Sequence, residues 1–534
     1  MTRSQGFVEI LLRQRASQDP NATWLCYEDA TYSWKDTLDN CLRFANALVN
    51  LEVKPKDHVA IMLSNRPEFL WAHFGCTFIG ATSVPINIAQ RSVTLHHYLN
   101  DSGAVVIVTE PDFLDYILEL KPKLPNLRHV IVVNLSDDSS KFEGRHSFEK
   151  LIGAASTNDP EVEISQPGSV SGLLYTSGTT GPPKGVVNEA NDTQSGAAAL
   201  LAAMDVKPGE TIYTALPLFH GNALLISAFG SIVLNARLAL AKKFSASRFF
   251  DDLRKYDAVE FNALGGMISI LLKQPPRAND REHSVRTVLS AGCPSDRWEA
   301  FESRFGVKLV EFYGMVDAPG LLLNDKAKVG SMGKPLGSYE FTVVDDDDNT
   351  LGPNKVGELV FKSPNGPQTS YHNLPDETQW ANRNGWFHTG DLAEVDSEGY
   401  FYYRGRKKES IRRLGENISA WEIETVLNQN DSILESAAFG VPSELGEDEV
   451  MVAIVLQPNA TLDYAEILDY CAGKMAKHAV PRYIEIVDEL PKTGTHRIQY
   501  QILKNRGLTD KTFDSTIKSL IGTQVKDQVK TKKN

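Results

Sequence analysis

A run of glycine, threonine and serine residues that ends in a lysine is the stretch of this chain best suited to chemistry. It extends from Tyr175 to Gly185 and follows an apolar, strand-like segment. Glycines let backbone N–H groups approach phosphate oxygens, hydroxyls add hydrogen-bond donors, and a lysine supplies compact positive charge. Because Gly185 rather than a serine or threonine follows Lys184, the magnesium-holding hydroxyl of a Walker loop is missing, and a P-loop NTPase is disfavoured. The predicted phosphate-binding residues are Thr176, Ser177, Gly178, Thr179, Thr180, Gly181 and Lys184.

The same run resembles the hallmark loop of a known superfamily. Residues 176–185 read T-S-G-T-T-G-P-P-K-G, and the adenylate-forming superfamily of acyl-CoA synthetases, luciferases and peptide-synthetase adenylation domains carries T-S-G-T-T-G-x-P-K-G. Further motifs follow in the family's order, so that the resemblance extends from near Tyr32 to near Leu503. Residues 274–283 and their flanks look like the crotonobetaine/carnitine-CoA ligase branch. The resemblance implies that ATP and Mg²⁺ are used to activate a carboxylic acid as its acyl-adenylate.

A segment near the middle of the chain resembles the family's Y-G-x-T-E motif. It comprises Phe312, Tyr313, Gly314, Met315, Val316 and Asp317. The resemblance implies that Tyr313 stacks on adenine and that Asp317 holds Mg²⁺ together with Thr176. Two positions depart from the motif. Val316 lacks a hydroxyl whose bond to a charged group would contribute roughly 1.5–3 kcal/mol, and Asp317 carries its carboxylate on a shorter arm than glutamate.

Residues 386–391 read W-F-H-T-G-D and are similar to the family's G-W-x-x-T-G-D. The resemblance implies that Asp391 accepts hydrogen bonds from the ribose hydroxyls, a role that suits a carboxylate. Arg406 stands where the family has an arginine that reaches the ribose and the phosphates, and Lys408 stands at the hinge of the C-terminal domain. A charged surface linker is the alternative interpretation of these two residues.

The resemblance also implies an acyl pocket beside the adenine site. His220 matches an aromatic or histidine position next to the pocket and the thiol tunnel, while Ala291, Gly292 and Cys293 match the small-residue turn between the adenine and the acyl group. Cys293 is predicted to pack rather than to act as a nucleophile, because no partner base is identifiable. The predicted pocket residues are His220, Asn222, Gly265, Gly266 and Met315.

Two segments near the carboxyl terminus resemble the family's C-terminal motifs. Gly415, Glu416 and Asn417 look like the loop that faces the site during thioester formation. Arg497 stands in the place of the last lysine of P-K-T-x-x-G-K, which bridges the substrate carboxylate and the α-phosphate. The substitution keeps the positive charge but replaces a compact ammonium by a planar fork.

Several functions remain open at this level. A coenzyme A ligase is favoured because no carrier-protein domain follows Leu503. Lys184, Arg406 and Arg497 would then act with Mg²⁺ as electrostatic clamps, with His220 beside the reacting acyl group. A stand-alone enzyme that acylates a carrier protein or an amine is the first alternative. A non-catalytic nucleotide-binding relative is the second, suggested by the departures at Val316 and Arg497.

The elements that must position these residues follow from the hydrophobic pattern. Between Val59 and Val133, and again between Arg237 and Gly314, apolar runs alternate with helical patterns, which predicts two helix-covered, mainly parallel sheets. Short strands separated by turn residues between Phe341 and Tyr403 predict a small antiparallel unit. We therefore expect a multidomain α/β protein. The predicted parts are an N-terminal domain over 1–404, a hinge over 405–408, a mobile α+β C-terminal domain over 409–505 and a tail over 506–534.

The composition narrows the class of protein. The chain has 534 residues and a net charge of -13, so that several domains are expected and a nucleic-acid partner is not. Its five cysteines form no C-x-x-C pair and its amino terminus has no signal-peptide pattern, which favours a cytoplasmic protein. The uncharged run from Thr211 to Ala236 contains polar breaks and is predicted to be buried core rather than a membrane span. The oligomeric state is left open.

Overall fold

The structure is a computed structural model. It describes residues 7–135, 144–162, 170–176, 182–189, 200–203, 206–364, 366, 369–407, 411–418, 420–444, 446–491 and 498–520. Two compact units are distinguished: the first contains Met1–Ile88, Tyr98–Thr176 and Gly185–Gly405, and the second contains Ala89–His97, Ser177–Lys184 and Arg406–Asn534.

The amino-terminal part contains nine strands and the helices that flank them in the described residues. The strands are β1 (Thr23–Tyr27), β2 (Ala30–Ser33), β3 (His58–Met62), β4 (Thr82–Pro85), β5 (Val106–Thr109), β6 (His129–Val132), β7 (Arg145–Ser147), β8 (Val170–Thr176) and β9 (Lys184–Glu189). The helices are α1 (Phe7–Gln18), α2 (Trp34–Asn50), α3 (Pro67–Thr77), α4 (Ser92–Asp101), α5 (Pro111–Leu120), a 3₁₀ turn (Lys121–Lys123) and α6 (Phe148–Ala154).

Seven of these strands form one sheet in the order β7-β6-β5-β3-β4-β8-β9. The strands from β7 to β8 pair in parallel. Helix α2 begins at a capping box, in which the Ser33 and Asp36 side chains each accept from the other residue's backbone N–H. It packs closely on α3, because a Cβ at Gly75 would lie 2.9 Å from the Phe44 ring. The first predicted α/β layer is confirmed.

The second sheet is built mainly from residues 206–335. Its further strands are β10 (Thr211–Thr214), β11 (Arg237–Leu240), β12 (Ala258–Leu264), β13 (Thr287–Ala291), β14 (Lys308–Met315), β15 (Ala318–Asn324) and β16 (Lys334–Pro335). Its helices are a π-helix (Asn222–Ala228), α7 (Phe229–Leu234), α8 (Phe249–Lys255), α9 (Gly265–Leu272) and α10 (Ser295–Phe305). The nine strands run in the order β16-β15-β14-β13-β12-β10-β11-β1-β2. They are parallel from β14 to β1, and antiparallel pairs close both edges.

A four-stranded sheet completes the first unit. It contains β17 (Glu340–Val344), β18 (Gly357–Lys362), β19 (Phe387–Val395) and β20 (Phe401–Arg406) in sequence order, with α11 (Pro375–Ala381) and a 3₁₀ turn (Arg383–Gly385) before β19. The first three strands pair antiparallel, which confirms the predicted antiparallel unit.

The second unit has its own hydrophobic core. Its strands are β21 (Ile411–Arg413), β22 (Glu416–Ile418), β23 (Ile433–Pro442), β24 (Asp448–Leu456), β25 (Tyr483–Ile486), β26 (Phe513–Asp514) and β27 (Ser519–Leu520). Its helices are α12 (Ala420–Leu427), α13 (Tyr464–Lys474) and α14 (Tyr500–Arg506). Strands β23 to β27 form a five-stranded sheet, and β21 and β22 form a separate hairpin. The core includes Ile423, Leu427, Val452, Ile454 and Ile484, all fully or almost fully buried.

The uncharged run from Thr211 to Ala236 is confirmed as core. It forms β10, the π-helix and α7, and most of its side chains are buried. Within the residues that the structure describes, there is no helix whose length and apolar character would suffice to cross a bilayer.

Candidate functional site

The predicted site residues follow adjacent strands of the nine-stranded sheet. Strands β10, β12, β13 and β14 are neighbours and parallel, so their carboxyl ends lie at one edge. Gly265 comes directly after β12, Ala291 ends β13 and Tyr313 lies near the end of β14, while His220 lies six residues beyond β10. Ligands of open α/β sheets bind at this edge. The fold therefore gathers residues that are up to about a hundred positions apart in the sequence.

The tip of the β14–β15 hairpin carries the candidate cation ligand. Met315 pairs with Ala318, so Val316 and Asp317 form the turn between the strands. Asp317 Oδ1 accepts from the Tyr371 hydroxyl at 2.9 Å and from the Thr176 hydroxyl at 3.4 Å. Mg²⁺ binds carboxylate and hydroxyl oxygens. Asp317 and Thr176 therefore fit this ion.

Tyr313 and Asp391 meet although they are 78 positions apart. The tyrosine hydroxyl donates to Asp391 Oδ2 at 2.6 Å. Asp391 is 2% exposed and lies on β19, where the Thr389 hydroxyl accepts its backbone N–H at 3.0 Å. The same hydroxyl donates to the Leu359 carbonyl at 2.6 Å, which ties the T-G-D segment to β18. Tyr313 and Asp391, both predicted to bind a nucleoside, are thus in direct contact. The backbone of the T-G-D segment is fixed by the bonds of Thr389.

A buried carboxylate supports the small-residue turn after β13. Glu311 is 5% exposed and accepts from the backbone N–H of Gly292 and from that of Cys293, the latter at 3.1 Å. Gly292 has a φ of +78°, and its carbonyl oxygen would lie 1.9 Å from a Cβ at Gly265. The ends of β12 and β13 can approach this closely only because residue 265 has no side chain.

The Cys293 thiol is 8% exposed. Burial, followed by the negative charge of Glu311, raises the pKa of this thiol well above its usual range. A protonated thiol is a weak nucleophile. This agrees with the prediction that Cys293 packs rather than reacts.

The segment before the π-helix lies against the hairpin tip. A Cβ at Gly221 would lie 3.0 Å from Val316 Cγ2, and Gly221 follows His220 directly. At the start of the π-helix, the Asn222 side-chain carbonyl accepts from the Asn262 amide, and Asn262 is 1% exposed. Single π-helical turns are frequent at functional sites. His220 and Asn222 therefore belong to the same neighbourhood as Val316, while Gly266 is buried at the start of α9 and Met315 is half-buried.

The second unit places the predicted thioester-step loop at the tip of the β21–β22 hairpin. Arg413 pairs with Glu416, so Leu414 and Gly415 form the turn, with φ values of +54° and +79°. The Gly415 N–H donates to Glu447 Oε2 at 3.1 Å. Asn417 pairs with Arg412 in the backbone ladder of the hairpin.

Several predicted residues fall outside these contacts. Lys184 begins β9 and Arg406 ends β20. Residues Ser177, Gly178, Thr179, Thr180, Gly181, Lys408 and Arg497 lie outside the described residues.

Sequence reasoning missed Tyr371, Glu311 and Asn262. Glu311 and Asn262 are polar residues inside otherwise apolar strands, a pattern that could have singled them out. Tyr371 lies in a loop, and its role is visible only from the hydrogen bond to Asp317.

Comparison with known families decides where the chain belongs. The AMP-binding enzyme family matches residues 12–370, and the C-terminal domain of AMP-binding enzymes matches residues 422–497. The chain is a member of the AMP-binding enzyme family. This confirms the adenylate-forming superfamily predicted from the motifs, and with it the class of enzyme, an AMP-forming acyl-CoA synthetase.

Similar AMP-binding enzymes include curated and solved proteins. A crotonobetaine/carnitine-CoA ligase from Salmonella paratyphi B is 30% identical over 494 residues, covering 89% of this chain and 93% of the relative. The o-succinylbenzoate CoA synthetase of Bacillus subtilis, solved as a double mutant with the product analogue OSB-NCoA, is 27% identical with a TM-score of 0.81, over 93% of this chain and 98% of that chain. The same synthetase in complex with the acyl-adenylate intermediate OSB-AMP gives a TM-score of 0.66 at 27% identity, over 95% and 98%. These matches confirm the predicted fold class.

Proposed function

We propose that this protein is an ATP-dependent carboxylate–CoA ligase, which forms an acyl-adenylate with release of pyrophosphate and then an acyl-CoA thioester. One observation carries the proposal. The β14–β15 hairpin contacts Asp391 through Tyr313 on β14 and contacts Thr176 through Asp317 in its turn, at 2.6 and 3.4 Å. The proposed sugar-binding carboxylate and the residue at the start of the phosphate loop are therefore both hydrogen-bonded to one hairpin.

In the first step a carboxylate oxygen of the substrate attacks the α-phosphorus of ATP, and the bond to pyrophosphate breaks. Both reactants are anions, so the barrier is largely electrostatic, and the site must hold them together and offset their repulsion. We assign this role to Lys184, Arg406 and Arg497. No covalent enzyme intermediate is needed.

The nucleoside is held by the described residues of the site. Asp391 accepts hydrogen bonds from the ribose hydroxyls, and Tyr313, whose hydroxyl donates to Asp391 at 2.6 Å, presents its ring to adenine. Phe312, beside it on β14, is buried in the core. Glu311 keeps the turn at residues 291–293 in place through two backbone N–H groups. Asp317 and Thr176 would hold Mg²⁺, which would supply neutralising charge to the phosphate oxygens.

The second step transfers the acyl group to coenzyme A. The thiol sulfur bonds to the acyl carbon, the bond from that carbon to AMP breaks, and the thiol proton leaves. We propose that the C-terminal domain, from residue 409 to 505, turns about a hinge at residues 405–408 that includes Lys408. Arg497 is then replaced by the Gly415, Glu416 and Asn417 loop.

The acyl pocket favours a small or medium carboxylic acid. Of the predicted pocket residues, Gly265 and Gly266 add no side chains, and Met315 and His220 are half-buried. The buried Asn262, held by Asn222, adds a polar group to this neighbourhood.

The five cysteines are free thiols, which supports a cytoplasmic location for the reaction.

Pyrophosphate exchange tests the first step directly. The panel contains carnitine, crotonobetaine, o-succinylbenzoate and straight-chain acids of increasing length, each with ATP and Mg²⁺. We expect exchange with at least one acid in the absence of coenzyme A, and an acyl-CoA product when coenzyme A is added. ATP binding without exchange for any acid would favour a non-catalytic relative. Exchange followed by transfer only to an amine or a carrier protein would replace the second step.

A further inference from the structure

The segment from Ser370 to Asn373 is attached to the strand that follows the phosphate loop. The His372 N–H donates to the Gly185 carbonyl at 2.7 Å, and the Val187 N–H donates to the Ser370 carbonyl at 2.9 Å. Tyr371 and Val186 form an isolated antiparallel bridge between these two bonds. The segment therefore fixes the chain immediately after Lys184.

The same segment is linked to the residue that precedes the loop. The Tyr175 hydroxyl donates to Asp101 Oδ2 at 2.6 Å. The backbone carbonyl of Asp101 in turn accepts from the side chains of His372 and Asn373, both at 3.2 Å. One short segment thus holds the described residues on both sides of the phosphate loop.

Between these two attachments, the Tyr371 side chain reaches the candidate cation ligand. Its hydroxyl donates to Asp317 Oδ1 at 2.9 Å, the same oxygen that accepts from Thr176. The ring packs on a cluster that contains Ala318, Phe361, Ala381 and Phe387. The backbone N–H of Tyr371 donates to the Thr378 hydroxyl of α11 at 2.9 Å. A ring fixed in this way presents its hydroxyl in one direction.

We propose that Tyr371 is a positioning residue for Mg²⁺ binding, acting through the Asp317 carboxylate. This inference rests on the proposed function. The hydroxyls of Thr176 and Tyr371 both donate to Oδ1 of Asp317, and neither of these two bonds uses Oδ2. A carboxylate that is already oriented loses less conformational entropy when it binds a cation, which favours binding. Such support matters more for Asp317 than for a glutamate, because the shorter side chain on a hairpin turn can adjust its reach only slightly.

The test uses Tyr371→Phe in the full-length protein, which removes the hydroxyl and keeps the packed ring. We expect the Mg²⁺ concentration for half-maximal pyrophosphate exchange to rise about tenfold, as for loss of one charge-assisted hydrogen bond. In calorimetry, the affinity for ATP with Mg²⁺ should fall by a similar factor, while the affinity for ATP in the presence of EDTA stays within twofold of wild type. The KM for the carboxylic acid should also stay within twofold.

The matched control is Tyr402→Phe. Tyr402 also donates its hydroxyl to an aspartate, Asp396 Oδ2 at 3.1 Å, in the same unit. This variant should leave the Mg²⁺ dependence unchanged. A second comparison uses Asp317→Asn with and without Tyr371→Phe. Because Tyr371 acts through the carboxylate, removing its hydroxyl from the Asp317→Asn protein should have no further effect on the affinity for ATP with Mg²⁺.

The remaining outcomes are distinct. An unchanged Mg²⁺ requirement in Tyr371→Phe, or an equal loss of ATP affinity with and without Mg²⁺, overturns the inference and leaves the proposed function standing. Additive losses in the double variant also overturn it, since the tyrosine would then act elsewhere. If the wild-type protein shows no Mg²⁺-dependent ATP binding, the proposed function fails first, and this inference with it.

Discussion

Two carboxylates of the site are held by tyrosine hydroxyls. Asp391 accepts from Tyr313 at 2.6 Å and Asp317 accepts from Tyr371 at 2.9 Å. A phenol on a rigid ring orients a carboxylate without adding charge. The tyrosine hydroxyls therefore orient the two carboxylates and add no positive charge that would repel a cation.

Replacing Asp391 by asparagine tests its role in binding the sugar. Asp391→Asn keeps the shape but loses the charged acceptor, and we expect kcat/KM for ATP to fall by about 10- to 100-fold, which is the loss of one charge-assisted hydrogen bond. The preference for ATP over 2′,3′-dideoxy-ATP should shrink at the same time. Pyrophosphate exchange with both nucleotides measures both effects.

The control for this prediction is Asp396→Asn, which removes the carboxylate that accepts from Tyr402. It should leave nucleotide preference unchanged. If Asp391→Asn discriminated between the two nucleotides as strongly as wild type, Asp391 would not be the ribose ligand.

Motif residues of the site could be predicted from the sequence because they have a fixed chemical task. Tyr313, Asp317, Asp391 and Thr176 were predicted in this way, and the structure places them in two contacting pairs. Tyr371 could not be predicted, because a tyrosine in a polar loop has no distinguishing spacing and its partner is 54 positions away. Supporting residues depend on tertiary distances, which a single sequence does not contain.

At the scale of elements, the nine-stranded sheet owes its site to strands that end close together. The turns that follow neighbouring parallel strands can bring their backbones into close contact where a residue has no side chain. Gly265 meets this condition against the Gly292 carbonyl, and Gly292 itself has a positive φ of +78°.

Gly265→Ala should therefore disturb this edge of the sheet. The added methyl would lie 1.9 Å from the Gly292 carbonyl oxygen, so the backbone must shift. We expect the free energy of unfolding to fall by roughly 1–3 kcal/mol, as in overpacked cores, and adenylation to fall by at least about tenfold. Thermal unfolding and pyrophosphate exchange measure these changes.

Gly153→Ala is the matched control within the first unit. Gly153 lies in α6, and a Cβ there meets nothing within 4 Å. This change should leave activity unaltered and stabilise the helix by up to about 1 kcal/mol. If Gly265→Ala catalysed adenylation at the wild-type rate, the close approach of residue 265 to the Gly292 carbonyl would not be needed for activity.

Helix α12 carries a carboxylate that makes stability depend on pH. Glu422 is 6% exposed, and burial, followed by the charge of Glu416, raises its pKa from 4.5 to about 7. The folded protein therefore holds this proton more tightly than the unfolded chain. The free energy of unfolding should fall as pH rises from about 4.5 to about 7 and lose nothing more above that range.

Glu422→Gln should remove the part of the pH dependence that Glu422 contributes; Glu424 on the same helix, whose pKa burial also raises to about 7, stays unchanged. Relative to wild type, we expect it to gain up to about 3 kcal/mol above pH 7 and almost nothing near pH 4. Urea midpoints at pH 5 and pH 8 measure the difference, with Glu489→Gln, at an exposed position, as the control. A gain that is equal at both pH values would contradict a titrating Glu422.

The alternating α/β elements could be predicted because each strand and helix has its own apolar pattern. The position of β1 and β2 within the nine-stranded sheet could not be predicted. β1 pairs with β11, more than two hundred residues away, and no local pattern specifies such a partner. The π-helix at Asn222–Ala228 was also missed, because its i→i+5 winding is only slightly looser than that of an α-helix, and a segment of 7 residues is too short to distinguish the two periods.

At the scale of the whole molecule, the proposed thioester-step loop lies in a different unit from the proposed nucleoside-binding residues. The nucleotide contacts described above lie in the first unit, and the β21–β22 hairpin lies in the second. A change confined to that hairpin should therefore affect thioester formation and spare adenylation.

Gly415→Ala tests this separation. At a φ of +79° an alanine is strained by roughly 1–2 kcal/mol, which distorts the turn. We expect acyl-CoA formation to fall by at least about tenfold, while pyrophosphate exchange stays within twofold of wild type. Both rates are measured on the same preparation.

Gly399→Ala provides the matched strain elsewhere. Gly399 has a φ of +84° in the turn between β19 and β20, with nothing within 4 Å of an added Cβ. It should lower stability to a similar extent and alter neither half-reaction. Equal losses of both half-reactions in Gly415→Ala would mean that the hairpin does not act in one step alone.

The turn at Val316 and Asp317 has a consequence for how this chain can diverge. One added residue would lengthen the connection by about 3.3 Å and turn the following side chains to the opposite face of the sheet. Tyr313 and Asp317 would then no longer reach Asp391 and Thr176 together. We therefore expect an insertion or deletion at this turn to disturb the site more than a substitution of Val316 would.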